Sequence, residues 1–186
     1  MKMLAVVLFA TTVAAKPPGN FTKEFQAGVD AFRLGKLDEA RAHLEKAKKL
    51  DPKLPGPWRF LAAVAQQAQD YGICVDDAHE ALRLNPQSSE AEETKKLYEA
   101  CRTSAGRASY RGQDLGDAAA VAVTSNVPNA TVRINKLSYG GTPMAPRRIA
   151  AGTLEVEVAK AGFKTVRVTI EAVPGIVNDV SAELVQ

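Results

Sequence analysis

Hydrophobic residues recur every three or four positions between residues 21 and 103, and charged residues fill most positions between them. The pattern is clearest over 37–50, where one side of the segment is apolar (Leu37, Ala40, Leu44, Ala47 and Leu50). This spacing is typical of an amphipathic α-helix. A second such segment covers 21–34, and Gly35 with Lys36 provides a turn between the two. The pattern therefore predicts a pair of helices joined by a tight turn.

The same hairpin pattern returns about 34 residues further along the chain. The first unit has characteristic residues at set positions (Ala27, Gly28, Gly35, Ala40, Leu44, Ala47 and Pro52), and residues of the second unit fall at matching offsets (Trp58, Leu61, Ala62, Tyr71, Cys74, Ala81 and Pro86). Small residues let paired helices approach closely, and we expect Gly28 to face Ala40. A third periodic segment over 89–103 has a polar outer side, which is typical of a helix that caps a stack of repeats.

This order of residues resembles the tetratricopeptide (TPR) repeat, a helix–turn–helix unit. The resemblance covers two units, about 21–54 and 55–88, within a helical domain over 16–103. It departs from the family at Glu24, where tryptophan is preferred, and at Ala31, where tyrosine is preferred. In the family, the first helix of each unit lines a concave groove. The resemblance thus implies a groove for a protein or peptide partner, lined by aromatic, aliphatic and polar residues (Phe25, Val29, Phe32, Arg33, Arg59, Ala63, Gln66 and Gln67).

Two interpretations of the aromatic residues in this groove stay open. Exposed aromatic rings beside arginine are typical anchors of protein interfaces. Alternatively, Phe25 and Phe32 complete the core of a short solenoid. Some TPR proteins grip a C-terminal carboxylate with lysine and asparagine, but Phe25, Val29 and Phe60 hold those positions here. We therefore expect a different mode of recognition.

Residues 104–119 lack hydrophobic periodicity and contain several glycines, a composition that favours a flexible linker. From residue 120 onward apolar residues alternate with others, as in half-buried strands (Val121 and Val123; Val132 and Ile134; Leu154, Val156 and Val158; Val166, Val168 and Ile170). The pattern predicts a small antiparallel β-sandwich over 120–186. The fold class is therefore multidomain, with helical hairpins and a capping helix first and a β domain second.

The turns of this second half carry a further resemblance. Residues 125–132, SNVPNATV, are followed by Gly-Thr-Pro at 141–143, Ala-Gly at 151–152 and Gly-Phe at 162–163. This order is similar to that of the PEGA domain, a small β module of bacterial envelope and surface proteins. Asn129 stands where the family usually has glycine, and asparagine tolerates a positive φ angle. The resemblance implies an envelope location and an accessory role, since the family has no accepted catalytic residues.

The first residues follow the pattern of a secretory signal peptide. Lys2 precedes a short apolar segment over 4–14, and small residues stand before a cleavage position. We predict a signal peptide over 1–15 that is cleaved near Ala15-Lys16. The mature chain would then be periplasmic or secreted, with no transmembrane segment. The alternative is a buried N-terminal helix.

Composition agrees with a folded chain, because 46% of residues are hydrophobic and 24% are charged, with a mean hydropathy of -0.15. The net charge of +3 comes without a concentrated stripe of lysine and arginine, which argues against a nucleic acid partner. Two cysteines and two histidines nearly exclude a structural zinc site. Cys74 and Cys101 form a disulfide if their helices pack antiparallel in an oxidising compartment; otherwise they are two small buried residues.

The sequence contains none of the common catalytic motifs. It has no phosphate-binding glycine loop ending in Gly-Lys, no Gly-x-Ser-x-Gly and no His-Glu-x-x-His. His43 and His79 lie among charged residues of predicted helices, and we interpret both as solvated. We therefore predict no enzyme, no catalytic residue, no metal and no cofactor.

The expected function is that of a non-enzymatic adaptor in the bacterial envelope. Its TPR groove would hold a protein or peptide partner, and its β module would be a second docking surface. The alternative is a carbohydrate or cell-wall polysaccharide binding module that acts through the β domain. Sugar sites usually stack an aromatic ring on the sugar, and in the β half Tyr139 and Phe163 are the rings that could do so.

Overall fold

The computed structural model describes residues 19–186, and the predicted signal peptide with its cleavage position lies outside that range. Five helices come first: α1 (Gly19–Arg33), α2 (Leu37–Leu50), α3 (Pro55–Gln67), α4 (Tyr71–Leu84) and α5 (Ala91–Ser104). Seven strands follow: β1 (Ala118–Ser125), β2 (Thr131–Ile134), β3 (Leu137–Gly141), β4 (Met144–Ala150), β5 (Gly152–Ala159), β6 (Val166–Ala172) and β7 (Val177–Ala182). The predicted order of helical hairpins and then a β domain is confirmed.

The first four helices form two hairpins, α1 with α2 and α3 with α4. Gly35 turns the chain between α1 and α2 with a φ of 73°, a conformation that glycine adopts without strain. A Cβ on Gly28 would lie 2.6 Å from Cγ of Leu44, so the close approach of α1 and α2 requires glycine there. The atoms nearest to that position belong to Leu44 rather than to Ala40, because the leucine side chain fills the space that glycine leaves. None of the five helices in residues 19–186 combines the length and hydropathy that a bilayer crossing needs.

A disulfide joins Cys74, in the first turn of α4, to Cys101, near the end of α5. Their Cα atoms are 6.0 Å apart, and both residues are fully buried. The bond closes a loop with a sequence separation of 27 residues, for which loop entropy gives a stabilisation of about 3 kcal/mol. It fixes α5 against the second hairpin.

Helix α5 is not a simple cap with one free side. Its charged side is exposed at Glu92, Glu93 and Lys96, as the polar outer face predicts. Its other residues are covered, however, because Tyr98 and Arg102 are buried beneath the β half. Strand β7 therefore covers the part of α5 that contains Tyr98 and Arg102.

The β half is a sandwich of two sheets, with strand orders β4-β1-β7 and β3-β2-β5-β6. Its core is a cluster of buried aliphatic side chains from both sheets, among them Val121, Val132, Val156 and Leu184. All pairings are antiparallel except that of β1 with β7, which is parallel. The purely antiparallel sandwich that we predicted is corrected at this one pair, because the chain crosses from β6 in one sheet to β7 in the other.

The segment between the two halves is packed, although its composition favours a flexible linker. Leu115 is buried with Ala120, Ala122 and Val177 on the outer face of the three-stranded sheet, and Tyr110 packs against the same cluster. The guanidinium of Arg148 also donates to the carbonyl oxygen of Asp114 at 3.0 Å. Strand β1 is thus covered on both faces, by the sandwich core and by this segment.

Buried polar contacts join the helical half to the first part of β7. The Tyr98 hydroxyl donates to the carbonyl oxygen of Val177 at 2.5 Å. The Arg102 guanidinium donates to the Asp179 carboxylate and, at 2.5 Å, to the carbonyl oxygen of Ala108. Nε2 of His79 lies 3.0 Å from Oδ1 of Asn178.

An apolar contact accompanies these polar ones. Val173 and Ile176, which flank the turn before β7, are buried in the same cluster as Leu82 and Tyr98. Side chains of both halves therefore share one core at this place, which we call the domain joint.

We predict that Arg102→Ala lowers the free energy of unfolding by about 3 kcal/mol, since it removes a large, fully buried side chain together with its bonds to Asp179 and Ala108 and leaves a cavity. Arg107→Ala is the matched control. Arg107 bonds the same carboxylate at 3.0 Å, but its side chain is 33% exposed, so the expected loss is below about 1 kcal/mol. Urea unfolding is followed by the fluorescence of Trp58, in α3, and by circular dichroism. The two unfolding transitions should coincide for the unmodified chain and separate for Arg102→Ala. Equal losses in both variants would contradict a joint centred on Arg102.

A second buried charge lies inside the helical half. The carboxyl of Asp77, on α4, is buried, and its nearest opposite charge is Nζ of Lys48 at 4.0 Å. Burial raises the pKa of Asp77 to about 6, and the charge of Lys48 only partly opposes that rise. Because the native pKa lies above that of the unfolded chain, Asp77 favours the fold when protonated. That contribution is complete below the unfolded pKa and is lost as the pH rises through about 6.

Asp77→Asn should therefore stabilise the chain by roughly 2 kcal/mol at slightly alkaline pH and leave its stability at about pH 3 unchanged. Thermal melts across this pH range measure the difference. Asp76→Asn is the control. Because the Asp76 side chain is 78% exposed, its substitution should change the stability by the same small amount at every pH. A gain from Asp77→Asn that is the same at acidic and alkaline pH would contradict the assignment.

Candidate functional site

Four phenylalanine rings of α1 and α3 form a continuous cluster. Phe21 and Phe25 are stacked with ring centroids 5.7 Å apart, and Phe25 meets the edge of Phe60 at 5.7 Å. Phe60 also contacts Phe32 edge to face at 6.0 Å. Offset and edge-to-face pairs of this kind are each worth about 0.5–1.5 kcal/mol beyond the area they bury. We call Phe25, Phe32, Phe60 and Arg59 together the aromatic face.

The backbone at the start of α3 allows this cluster to form. A Cβ on Gly56 would lie 3.1 Å from the ring of Phe25, so glycine lets the ring rest on the first turn of α3. Pro55 and Pro57 lie in the same turn, where proline removes no helical hydrogen bond. Phe21 is buried, whereas Phe25, Phe32 and Phe60 are half-buried, which leaves part of their surface for a partner.

Two arginines are neighbours of these phenylalanines in the sequence, and one of them contacts a ring. The guanidinium of Arg59 lies 4.8 Å from the centroid of the Phe60 ring, a cation–π contact. Arg33 is exposed at the end of α1 and lies 3.7 Å from the carboxylate of Asp30. The pKa of Glu90 is lowered, first by a hydrogen bond with the Ser89 side chain and to a lesser extent by the charge of Arg59. Arg59 therefore acts electrostatically as far as the start of α5.

The structure places the predicted groove residues in different environments. Phe25 and Phe32 are brought together through Phe60, and Arg59 joins them. Val29 is buried and cannot reach a partner, because it points into the helix packing. Arg33 and Gln67 are exposed, whereas Gln66 and Ala63 are partly exposed in the second half of α3. The predicted groove residues do not include Phe60, which is a member of the aromatic face. Its position next to the predicted residue Arg59 in the sequence is the signal that indicates it.

The aromatic rings also belong to the core. Phe25, Phe32 and Phe60 pack against the buried cluster of Ala40, Leu44, Leu61 and Val64. Both interpretations of these residues therefore apply in part: one side of the rings completes the core of the first repeat, and the other side is open.

The two histidines have structural partners. Nδ1 of His43 lies 2.7 Å from the carboxylate of Glu24, and this hydrogen bond is the main cause of the lowered pKa of Glu24. His79 faces Asn178 in the domain joint. Both differ from the solvated side chains we predicted, because the hairpin and the joint bring polar groups to them. Within residues 19–186 no three histidine, cysteine or acidic residues are placed to hold a metal ion.

A cleft of about 790 Å³ lies beside the joint, between residues 106–108 and the outer face of the three-stranded sheet. Its charged groups are already paired, because Arg107 bonds Asp179 at 3.0 Å. In the β half, Tyr139 and Phe163 both pack against the sandwich core. Both rings are half-buried, as are those of the aromatic face, so carbohydrate binding through the β half stays a prediction.

Comparison with family models supports the two resemblances. Residues 118–186 match the model of the PEGA domain, and residues 25–54 match the model of a tetratricopeptide repeat. The matched repeat contains α2 and most of α1, and the PEGA match contains all seven strands. The curated proteins compared with the chain contain no match to it.

Proposed function

We propose that this chain, a tetratricopeptide repeat unit joined to a PEGA domain, is a non-enzymatic adaptor that holds a protein or peptide partner on the aromatic face. Tetratricopeptide repeats support protein–protein interaction, and both matched domains are non-catalytic types. The observation that carries the proposal is the half-buried row of Phe25, Phe60 and Phe32 with Arg59 stacked on it. Aromatic residues beside arginine are enriched among the side chains that dominate binding energy.

The chemistry of this face suggests the kind of peptide that it binds. The half-exposed rings would cover an apolar side chain, while Arg59 and the exposed Arg33 would meet a carboxylate. Phe25, Val29 and Phe60 occupy the positions from which other repeats grip a C-terminal carboxylate. We therefore propose an internal segment with an apolar and an acidic residue as ligand.

A Phe25→Ala/Arg59→Ala variant should lose at least about 3 kcal/mol of partner binding, a more than hundredfold loss of affinity. The matched control is Arg41→Ala/Leu50→Ala on α2, which removes an arginine and an exposed apolar side chain away from the aromatic face. Envelope extract passed over each immobilised chain gives the partners, and titration calorimetry gives the affinities. Urea unfolding checks that both variants are folded. Full binding by a folded Phe25→Ala/Arg59→Ala variant would exclude the aromatic face as the site.

We propose further that the chain works outside the cytoplasm of a bacterium, with the β module as a second docking surface. The signal-peptide pattern over 1–15 supports this, and so does the Cys74–Cys101 disulfide, since such bonds persist in oxidising compartments. Expression of the full chain in a bacterium should give a mature protein that begins near Lys16 and has no free thiol. Mass spectrometry with thiol labelling measures both properties. A chain that keeps Met1 and two reactive thiols would contradict this location.

A further inference from the structure

The two sheets of the β half end in four edge strands, and three of them are blocked. Strand β4 has a register shift opposite β1 and contains Pro146 and two arginines. Strand β3 is five residues long, has a register shift opposite β2 and ends in two glycines. Strand β7 is covered by α5, whose Tyr98 bonds the carbonyl oxygen of Val177. Short strands, bulges, prolines and covering helices are the usual means by which proteins prevent edge pairing.

The fourth edge strand, β6, has neither a bulge nor a proline, and its two charged residues, Arg167 and Glu171, are of opposite sign. It pairs with β5 in unbroken register from Val166 to Ala172, with no bulge, proline or lysine over those seven residues. Within residues 19–186 no other strand pairs with it. Its sequence, VRVTIEA, is rich in β-branched residues, which favour strand pairing.

The apolar side of β6 is also incompletely covered. Val166, Val168 and Ile170 are half-buried, whereas their neighbours on β5 in the same sheet are buried. The opposite sheet therefore covers the β6 edge less completely than it covers β5. An added strand would cover these side chains.

The order of residues along β6 is complementary to itself when one copy runs antiparallel to another about Thr169. Arg167 then stands opposite Glu171 of the second copy, and Val168 opposite its Ile170. The charged residues share the exposed side of the sheet, where Arg167 bonds Glu157 and Glu171 accepts a hydrogen bond from Thr153. Opposite charges on directly facing positions stabilise an antiparallel pair, and like charges destabilise it.

We infer that two copies of this chain associate through β6, in an antiparallel pair centred on Thr169 that joins two four-stranded sheets into one of eight strands. Because one strand edge buries less area than the roughly 1,000 Å² of a stable interface, the dimer is weak and depends on concentration. This inference is independent of the aromatic face, which lies on α1 and α3.

Sedimentation velocity of the mature chain tests this directly. The fraction of dimer should rise as the concentration increases from low micromolar towards millimolar. A chain that stays monomeric over this whole range would overturn the inference, and so would larger open-ended assemblies, because pairing about a two-fold axis closes at two copies.

Charge reversal then identifies the interface. Arg167→Glu and Glu171→Arg should each weaken the dimer about tenfold or more, because each places like charges opposite one another twice across the two-fold axis. The matched control is Arg133→Glu. Arg133 bonds the same Glu157 as Arg167 but lies on β2, inside the sheet, so its reversal should leave the dimer unchanged. An equal effect of all three variants would overturn the assignment to β6.

Mixing the two weakened variants provides the strictest test. In a pair made of one Arg167→Glu chain and one Glu171→Arg chain, every facing position again has opposite charges. The mixture should therefore form a heterodimer with close to the original affinity, although neither variant dimerises well alone. The doubly reversed chain should likewise recover its own dimer. Thermal melts confirm that each variant is folded, and folded variants that fail to restore association would overturn the inference.

Discussion

The joining of the two halves depends on one fully buried cation, Arg102. Its guanidinium donates to the Asp179 carboxylate on β7 and to the carbonyl oxygen of Ala108, and it lies 5.6 Å from the centre of the Tyr98 ring. A buried charge that lost its partner would be strongly unfavourable. The buried charge therefore fixes the relative positions of helix α5, the segment that follows it and strand β7. One turn earlier on α5, the hydrogen bond from the Tyr98 hydroxyl to Val177 fixes the same two elements, α5 and β7.

This constraint makes the chain one body with two surfaces rather than two domains on a tether. The disulfide holds α5 to α4, and the cluster of Leu115 and Tyr110 holds the connecting segment to the three-stranded sheet. The aromatic face on α1 and α3 is thereby kept at a defined orientation to the β module. An adaptor of this kind would hold its partner in one orientation relative to the β module. A dimer through β6 would hold two partner molecules.

Most elements of the fold could be predicted because their signals are local. The helical hairpins follow from apolar spacing along α2 and α4, and strands β2, β5 and β6 follow from alternation. Strands β3 and β4 lack that alternation, since Leu137 is exposed and β4 has arginines at positions 147 and 148. The uninterrupted apolar run of 118–123 on β1 is a further sequence signal, because it is typical of a strand covered on both faces. It indicates that something besides the sandwich core packs on β1.

The sequence by itself determined the repeat, the turns, the β module and the aromatic side chains of α1, because each depends on residues a few positions apart. It contained no sign that Tyr98 meets Val177, Arg102 meets Asp179, or His79 meets Asn178, pairs that are 79, 77 and 99 residues apart. Only the tertiary structure decided these contacts and the exposure of the β6 edge. Their partners are set by how the chain returns on itself, a property that neither hydrophobic periodicity nor composition specifies.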